Sequence, residues 1–590
     1  MGSLLLATIF LPLAGAILAG TGGARARQSA LMTTVLTLAL AGILVAGYPS
    51  GGERPFDETG TFAETIVSWL GGADGPIHLQ FRVGLDGLSL WLFALTALLM
   101  VVAVLVSWEA IDRWPGAYYA LLLLLETGML GVFVARDIIL FYVFFEFTLI
   151  PLFFLIGIWG SDQRRYAAVK FFLFTLAGSV LTLLGLLAIV LWDHSQAPSR
   201  PMTFSISELT ANLAARPMEP WMQIAVFLLL LAGFAVKVPL FPLHTWLPLA
   251  HVEAPTAGSV LLAGVLLKVG TYGLVRFALP MTPEGVAACM PWLLWLSVIG
   301  IVYGSMVALA QSDIKRLIAY SSVAHLGFCT LGMFALNPLG LRGSVLQMVN
   351  HGLSTGGLFA VVGMLYERYH SRQIKDFGGL ARQTPRLAAF MVVLTLASIG
   401  LPGLNGFVGE FLILLGMFQR SYAAPEGLVT QYRVIAVLGV AGVVLGAWYM
   451  LGLVQKVFFG PLRTPGHVGD KHAAAPVQDL CLREVLALAP LVVFIVWIGV
   501  WPQFFMARMS PTLDRLTAPA MDAADRQAEA CPGAGAQGPR DLADGWHGHL
   551  ARAWGAALAR RQCHPTRPRS TAYCLLSTAL SPLPPRRTDP

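Results

Sequence analysis

The chain has 590 residues, of which 56% are hydrophobic and only 12% charged. That is about half the usual charged fraction and cannot cover a soluble surface of this size, so the composition excludes a water-soluble enzyme and indicates an all-α polytopic membrane protein. The formal charge of +7 is no nucleic-acid signature: from Arg508 onward eleven arginines face seven acids, and the rest is loop charge of the kind that sets membrane topology. Six cysteines without a CxxC pair argue against a structural zinc site, an iron–sulfur cluster or a disulfide framework.

In chain order, long apolar runs predict fourteen membrane helices, at 3–20, 29–48, 86–107, 115–134, 137–159, 167–191, 221–249, 256–280, 291–310, 318–336, 344–366, 387–418, 434–459 and 482–505. No basic residue precedes the first run, which is therefore read as a membrane helix and not as a cleaved signal peptide. Threading the chain through these spans puts seventeen basic loop residues on one side, Arg25, Arg113, Lys315 and Arg372 among them. The other side receives nine, including Arg82, Arg200 and Arg342. The positive-inside rule makes the richer side cytoplasmic and sets both termini on the non-cytoplasmic side.

Two of the runs are long enough to be bent or broken. In the seventh, Lys237 ends the apolar stretch from Trp221 to Val236, and Pro239, Pro242 and Pro248 follow. Each proline lacks the N–H that a helix needs, so the helix is expected to break beside Lys237 and to leave the carbonyls of Ala235, Val238 and His244 without helical partners. Broken membrane helices with an ionisable group at the break are how transporters build midplane ion sites. The twelfth run repeats the plan: Pro402 in GLPGLNGFVGEF frees the carbonyl of Ser398, and Glu410 lies eight residues further on. Arg136-Asp137-Ile138 likewise echoes Ser312-Asp313-Ile314, and both pairs of echoes lie ~165–175 residues apart. With an odd number of spans between the copies, the chain is read as two repeats of opposite orientation.

An ionisable group at membrane depth is costly and needs a partner or a task. Seven such groups fall inside apolar runs: Glu126, Glu146, Lys237, Lys268, His325, His351 and Glu410. Glu146, in LFYVFFEFTLIPLFFLIG, has aromatic and aliphatic neighbours on every side, so its ionised form needs a cation, and Lys237 is the natural one. A static salt bridge is the plain alternative for that pair, but seven titratable groups exceed what helix packing requires. His325 and His351 are suited to passing protons, because imidazole titrates near neutrality and has two usable nitrogens. For each histidine alone the alternative is a hydrogen-bonded packing residue. Glu126, together with His244 and His251 that flank the break, completes the set of candidates. Beyond Trp501, Ala, Pro, Gly and Arg dominate, which predicts disorder from about Ser510 and reads as sequence outside the natural frame.

VGLDGLSL, LLLETGMLGVF, LFYVFFEFTLIPLFFLIGIWG, HTWLPLAHVEAPTAGSVLLAGVLLKVGTYG, QSDIKRLIAYSSVAHLGF, MVNHGLSTGGLF and GLPGLNGFVGEFLIL resemble the antiporter-like membrane subunits of respiratory complex I, of the type called subunit M in bacteria and subunit 4 in mitochondria. The likeness runs to about Phe505. It implies fourteen helices holding two inverted five-helix repeats, with N-terminal helices over 1–114, half-channels over 115–280 and 281–460 and a C-terminal helix over 461–509, and it leaves the tail over 510–590 outside the likeness. It also implies a proton-translocating subunit in which Glu146 and Lys237 form a paired switch, Lys268, His325 and His351 a central relay, and Glu410 an exit-side group. Flavin mononucleotide, iron–sulfur clusters and quinone would then be bound by other subunits, with no cofactor or metal on this chain. The implied partners are the other membrane subunits of the complex, its neighbouring antiporter-like subunits above all, and the lipid bilayer, with no nucleic acid. Related architectures leave two alternatives, a subunit of a sodium/proton antiporter or membrane-bound hydrogenase and, in another class, a purely structural membrane subunit.

Overall fold

The computed structural model describes residues 1–49, 60–70, 75, 77–424, 426–465 and 477–530. Among them, twelve helices are long and apolar enough to cross a membrane, and Leu90–Val106 and Pro385–Ser398 are apolar but shorter. Helices α1 (Gly2–Thr21) and α2 (Ala26–Gly47) pack against each other and leave Ile17, Leu18, Met32 and Val35 exposed, as suits a face solvated by lipid tails. Strands β1 (Phe62–Leu70) and β2 (Ile77–Leu85) then pair antiparallel, with Ile66 opposite Arg82. The fourteen-helix reading contains no such hairpin, although the signal is in the sequence: two runs rich in β-branched and aromatic residues flank a segment with Gly71-Gly72 and Asp74-Gly75.

Helices α3 (Leu90–Val106), α4 (Pro115–Val134), α5 (Ile138–Phe147), α6 (Leu149–Trp159) and α7 (Arg164–Gln196) follow. The division between α5 and α6 at Thr148 comes from Pro151, which has no N–H for the Phe147 carbonyl. A two-residue strand, β3 (Met202–Thr203), runs parallel to β2 and leads into α8 (Ile206–Ala215). Helix α9 (Pro220–Lys237) ends at Lys237, as its prolines dictate, and α10 (Leu247–Glu253) resumes after a turn. Two of the three carbonyls expected to be freed find other donors. The Leu240 N–H reaches the Ala235 oxygen and the Leu247 N–H reaches the His244 oxygen, both at 3.0 Å.

The next span is a helix in three pieces, α11 (Thr256–Leu261), α12 (Leu267–Gly273) and α13 (Leu279–Met281), joined by π turns at Leu262–Leu266 and Leu274–Ala278. Then come α14 (Pro283–Leu309), α15 (Ile314–Phe334), α16 (Pro338–Tyr369), α17 (Pro385–Ser398), α18 (Asn405–Tyr422), α19 (Glu426–Phe458), α20 (Leu482–Val500) and α21 (Gln503–Ala530). The α11–α13 unit and α16 are buried along their whole apolar length, the mark of central helices that are hydrophobic all round. They carry Lys268 and His351.

Two small backbone bridges are built alike. Asp137 pairs with Ser205, the Ile138 N–H reaching the Phe204 oxygen and the Ile206 N–H the Arg136 oxygen, both at 2.9 Å. Asp313 pairs with Gln373, the Ile314 N–H reaching the Arg372 oxygen at 2.9 Å and the Ile374 N–H the Ser312 oxygen at 2.8 Å. Each aspartate also caps the helix after it, Asp137 accepting from Ile139 and Leu140, Asp313 from Arg316.

The expected disorder from residue 510 is wrong as far as residue 530, because α21 is an amphipathic helix bound to the bundle. Met509, Leu513, Leu516, Ala520, Ala523 and Ala524 form a buried stripe at helical spacing. Ion pairs Arg342–Asp514 at 2.7 Å, Arg420–Asp525 at 3.1 Å and Arg526–Glu284 at 2.8 Å flank it. Composition misleads here because alanine, which fills half the stripe, is the best helix former and allows close packing while adding little hydrophobicity. Residues 531–590 lie outside the described residues, and so does the rest of the expected tail.

Candidate functional site

Glu146 is half-buried near the end of α5, beside the Tyr142 and Ser179 side chains and within electrostatic reach of Lys237. The expected direct pair is not formed: no ion pair of 4.0 Å or less joins them, and the Lys237 ammonium lies instead 4.5 Å from the centroid of the Phe145 ring. The neighbouring turn explains the geometry. Trp246 donates its indole N–H to the Val236 oxygen at 2.9 Å, holding the broken backbone while the lysine projects inward. The end of α9 also presses on α12, where a Cβ on Gly270 would lie 2.9 Å from the Lys237 Cβ. Only glycine permits that approach, and it brings the break against the helix that carries Lys268.

Lys268 is fully buried. Its ammonium donates to the Ala263 oxygen, within the first π turn, and lies 2.6 Å from His351 Nδ1. A π turn widens the helix and presents carbonyls outside the ordinary ladder, which is why such turns recur at functional sites. The His351 ring centroid lies 5.5 Å from that of His325. His325 Nδ1 is 3.2 Å from Glu410 Oε1 and its Nε2 is 3.2 Å from the Ser398 hydroxyl, at the break between α17 and α18. Gln347 donates to the same Glu410 oxygen at 3.1 Å. Lys268, His351, His325 and Glu410 thus form one buried line across α12, α16, α15 and α18, and Glu146 and Lys237 stand beside it across the α9 break.

The remaining candidates are not part of that line. Glu126 is fully buried on α4 with neither carboxyl oxygen hydrogen-bonded. His244 packs against Phe241 and Tyr303, with ring centroids 5.8 and 5.2 Å away. His251 stacks on Phe359 at 4.5 Å with neither ring nitrogen hydrogen-bonded, and it feels the charges of Lys315 and Lys268.

Sequence reasoning misses Gln347, which donates to Glu410, and the polar groups beside it. Gln347, Asn350 and Ser354 lie with His351 at helical spacing on α16, and Asn350 donates to the Asn405 oxygen at 2.8 Å. That polar stripe in an otherwise apolar run is a legible signal. It also misses a buried cluster at the start of α3, where Asp86 meets Arg136 at 3.0 Å and Arg276 at 2.7 Å. Burial works against the Asp86 charge, but Arg136 and Arg276 outweigh it and hold the carboxyl well below the usual carboxylate range. At the bridge, burial pushes the Asp137 carboxyl up to about 6 despite hydrogen bonds from Leu140, Gln80 and Ile139.

Residues 135–436, which hold the whole line of buried groups, match the family described as NADH:quinone oxidoreductase/Mrp antiporter, transmembrane. Subunit M of NADH-quinone oxidoreductase from Rhodobacter capsulatus is 41% identical over 530 residues, 88% of this chain and 96% of that one. Chain 4 of NADH-ubiquinone oxidoreductase from Marchantia polymorpha is 41% identical over 77% of this chain and 85% of its own. Among solved structures, a chain of respiratory complex I from Thermus thermophilus with bound NADH superposes with a TM-score of 0.75 at 33% identity, over 88% of this chain and 99% of that chain. A chain of the Mrp complex from Dietzia, at 22% identity and a TM-score of 0.70 over 90% of this chain and 57% of its own, shares the fold. The chain belongs to the family of antiporter-like membrane subunits of NADH-quinone oxidoreductase, the subunit M or chain 4 type.

Proposed function

We propose that this chain carries protons across the membrane along Glu146, Lys237, Lys268, His351, His325 and Glu410, as the pumping subunit of an NADH-quinone oxidoreductase. The observation that carries the reading is the unbroken contact series from the Lys268 ammonium through His351 and His325 to Glu410. Each member holds or releases a proton, each is buried, and the series ends at the second helix break. Glu146 and Lys237 load the line from the first break, and Glu410 discharges it toward the non-cytoplasmic side. Flavin, iron–sulfur and quinone chemistry belongs to partner subunits, so this chain's part is proton movement alone.

The architecture that fits this reading has fourteen crossings, the twelve long helices together with Leu90–Val106 and Pro385–Ser398, and two inverted repeats. The twin bridges at Asp137 and Asp313 support the repeats, because the same three-residue segment is bound in the same way at the head of α5 and of α15. The contacts of α21 with Glu284, Arg342 and Arg420 and the packing of Gly2 beside Thr65 of the hairpin support an arrangement with the N-terminus and α21 on one side.

The test is proton transport in sealed membrane vesicles with NADH as donor, in a strain carrying Lys268→Ala or Glu410→Gln. Glutamine keeps the shape of Glu410 and the hydrogen bond from Gln347 but cannot titrate. Both variants should assemble and lose most pumping. Normal pumping in both would leave these groups as helix packing.

A further inference from the structure

The cavity beside His325 and Glu410 has a wall that the relay does not use. Tyr449 of α19 is buried and, with Ser305, Ser398 and Gly446, closes a cavity of about 10 Å³ against those two residues. Such a volume is at the lower limit for holding one water. The Ser305 hydroxyl lines this cavity, is buried, and has no hydrogen-bond partner in the protein. A buried hydroxyl without a protein partner that faces a cavity points to water as its partner. On its other side, Tyr449 lines a crevice of about 520 Å³ between the ends of α14 and α19, with Gln311, Gln455 and Lys456 at its polar rim. By the charge bias of the loops this rim faces the cytoplasm. The close approach of α14 and α19 at this partition depends on Gly442, where a Cβ would collide with Ile301.

We propose that this crevice is a water inlet from the cytoplasmic side, and that Tyr449 is the gate through which protons reach His325 and Glu410 without passing Lys237 or Lys268. The proposal rests on the reading of His325 and Glu410 as relay groups. A phenol hydroxyl both accepts and donates. It takes a proton from crevice water while giving its own to water in the inner cavity, so one proton crosses and the ring stays neutral. The Tyr449 hydroxyl lies beside that of Ser321 and within electrostatic reach of Glu410. The second half of the chain then has a second supply of protons, beside the one that Glu146 and Lys237 load.

The experiment uses the assembled complex in inside-out vesicles, which expose the cytoplasmic face. Val444→Cys places a thiol on the crevice wall, and Val440→Cys places one a turn away on the same exposed face of α19, outside the crevice. Labelling by a membrane-impermeant maleimide, with the native cysteines' background from the unaltered complex subtracted, should be at least tenfold faster at position 444. Equally slow labelling at both positions means that lipid fills the crevice and overturns the inlet, whatever the relay does. Tyr449→Phe preserves the packing and removes the hydroxyl, so protons pumped per NADH should fall severalfold while the amount of assembled complex is unchanged. An unchanged ratio in Tyr449→Phe overturns the gate. Normal pumping in both His325→Gln and Glu410→Gln would remove the destination of the inlet and the proposal with it, while rapid labelling at position 444 would still stand.

Discussion

The ammonium of Lys237 rests on the face of the Phe145 ring, 4.5 Å from its centroid, and not against Glu146, the next residue along α5. A cation over an aromatic ring is held by about 0.5–2 kcal/mol. A carboxylate at about 4 Å holds it by about 4 kcal/mol at an effective dielectric constant near 20, and at about 8 Å by half as much. The arrangement seen is therefore the looser one, and closing the pair over a distance of that order gains at most about 2 kcal/mol, less the ring contact it gives up. Moving one proton against ~150 mV takes about 3.5 kcal/mol, from ~2.3 kcal/mol per 100 mV. One switch falls short, so a second shift farther along, at Lys268 and His351, has to contribute.

If the pair works as a unit, Lys237→Ala and Glu146→Gln should each abolish most NADH-driven proton transport in sealed vesicles. The double variant should be little worse than either, because members of one coupled pair are not additive. Lys237→Arg should fail as well, since a guanidinium does not release its proton in this range. Wild-type pumping in Lys237→Arg would show that only a fixed positive charge is wanted at the break.

The topology is open to a direct test. A reporter active only in the cytoplasm, fused in the loop at Arg372, should be active, and the same reporter at Arg200 should be silent. The reverse pattern would overturn the assignment of sides and with it the direction of the proposed inlet.

The helix breaks were legible because proline acts locally: α9 stops at Lys237, and α17 and α18 are separated around Pro402, as missing N–H groups require. Lys268, His351, His325 and Glu410 were legible one by one, because each is an ionisable group in an apolar run. Their order in space was not, since it depends on how α12, α16, α15 and α18 cross. Phe145 was hidden for the same reason: in sequence it is one more aromatic in an aromatic run, and only the fold places its face under an ammonium. The hairpin at 62–85 carried a local signal that the search for long apolar runs passed over.

Asp86 should prove indispensable to assembly and not to transport itself. Asp86→Asn keeps the shape but leaves Arg136 and Arg276 buried without their counter-charge, and breaking a buried pair in this way costs about 3–5 kcal/mol. That is a large share of the 5–15 kcal/mol typical of a folded domain. The amount of assembled complex in Asp86→Asn membranes, read on native gels, should drop sharply. Full assembly with reduced pumping would instead move Asp86 into the proton path.

The last prediction concerns α21, where two kinds of contact compete as the cause of docking. Its ion pairs are partly solvated, with the side chains of Asp514, Asp525 and Arg526 45%, 66% and 61% exposed, and pairs of that kind contribute about 0–1 kcal/mol each. Leu513 and Leu516 are buried, and fully burying a leucine is worth about 1.5–3 kcal/mol. The apolar stripe should therefore dominate. Leu513→Asp should lower the amount of assembled complex more than Asp514→Asn and Asp525→Asn combined, and a chain ending after residue 510 should assemble poorly. A chain ending after residue 530 retains every contact of α21 described here, so it should assemble and pump like the full-length protein. Loss of assembly in that last variant alone would assign a docking role to residues 531–590.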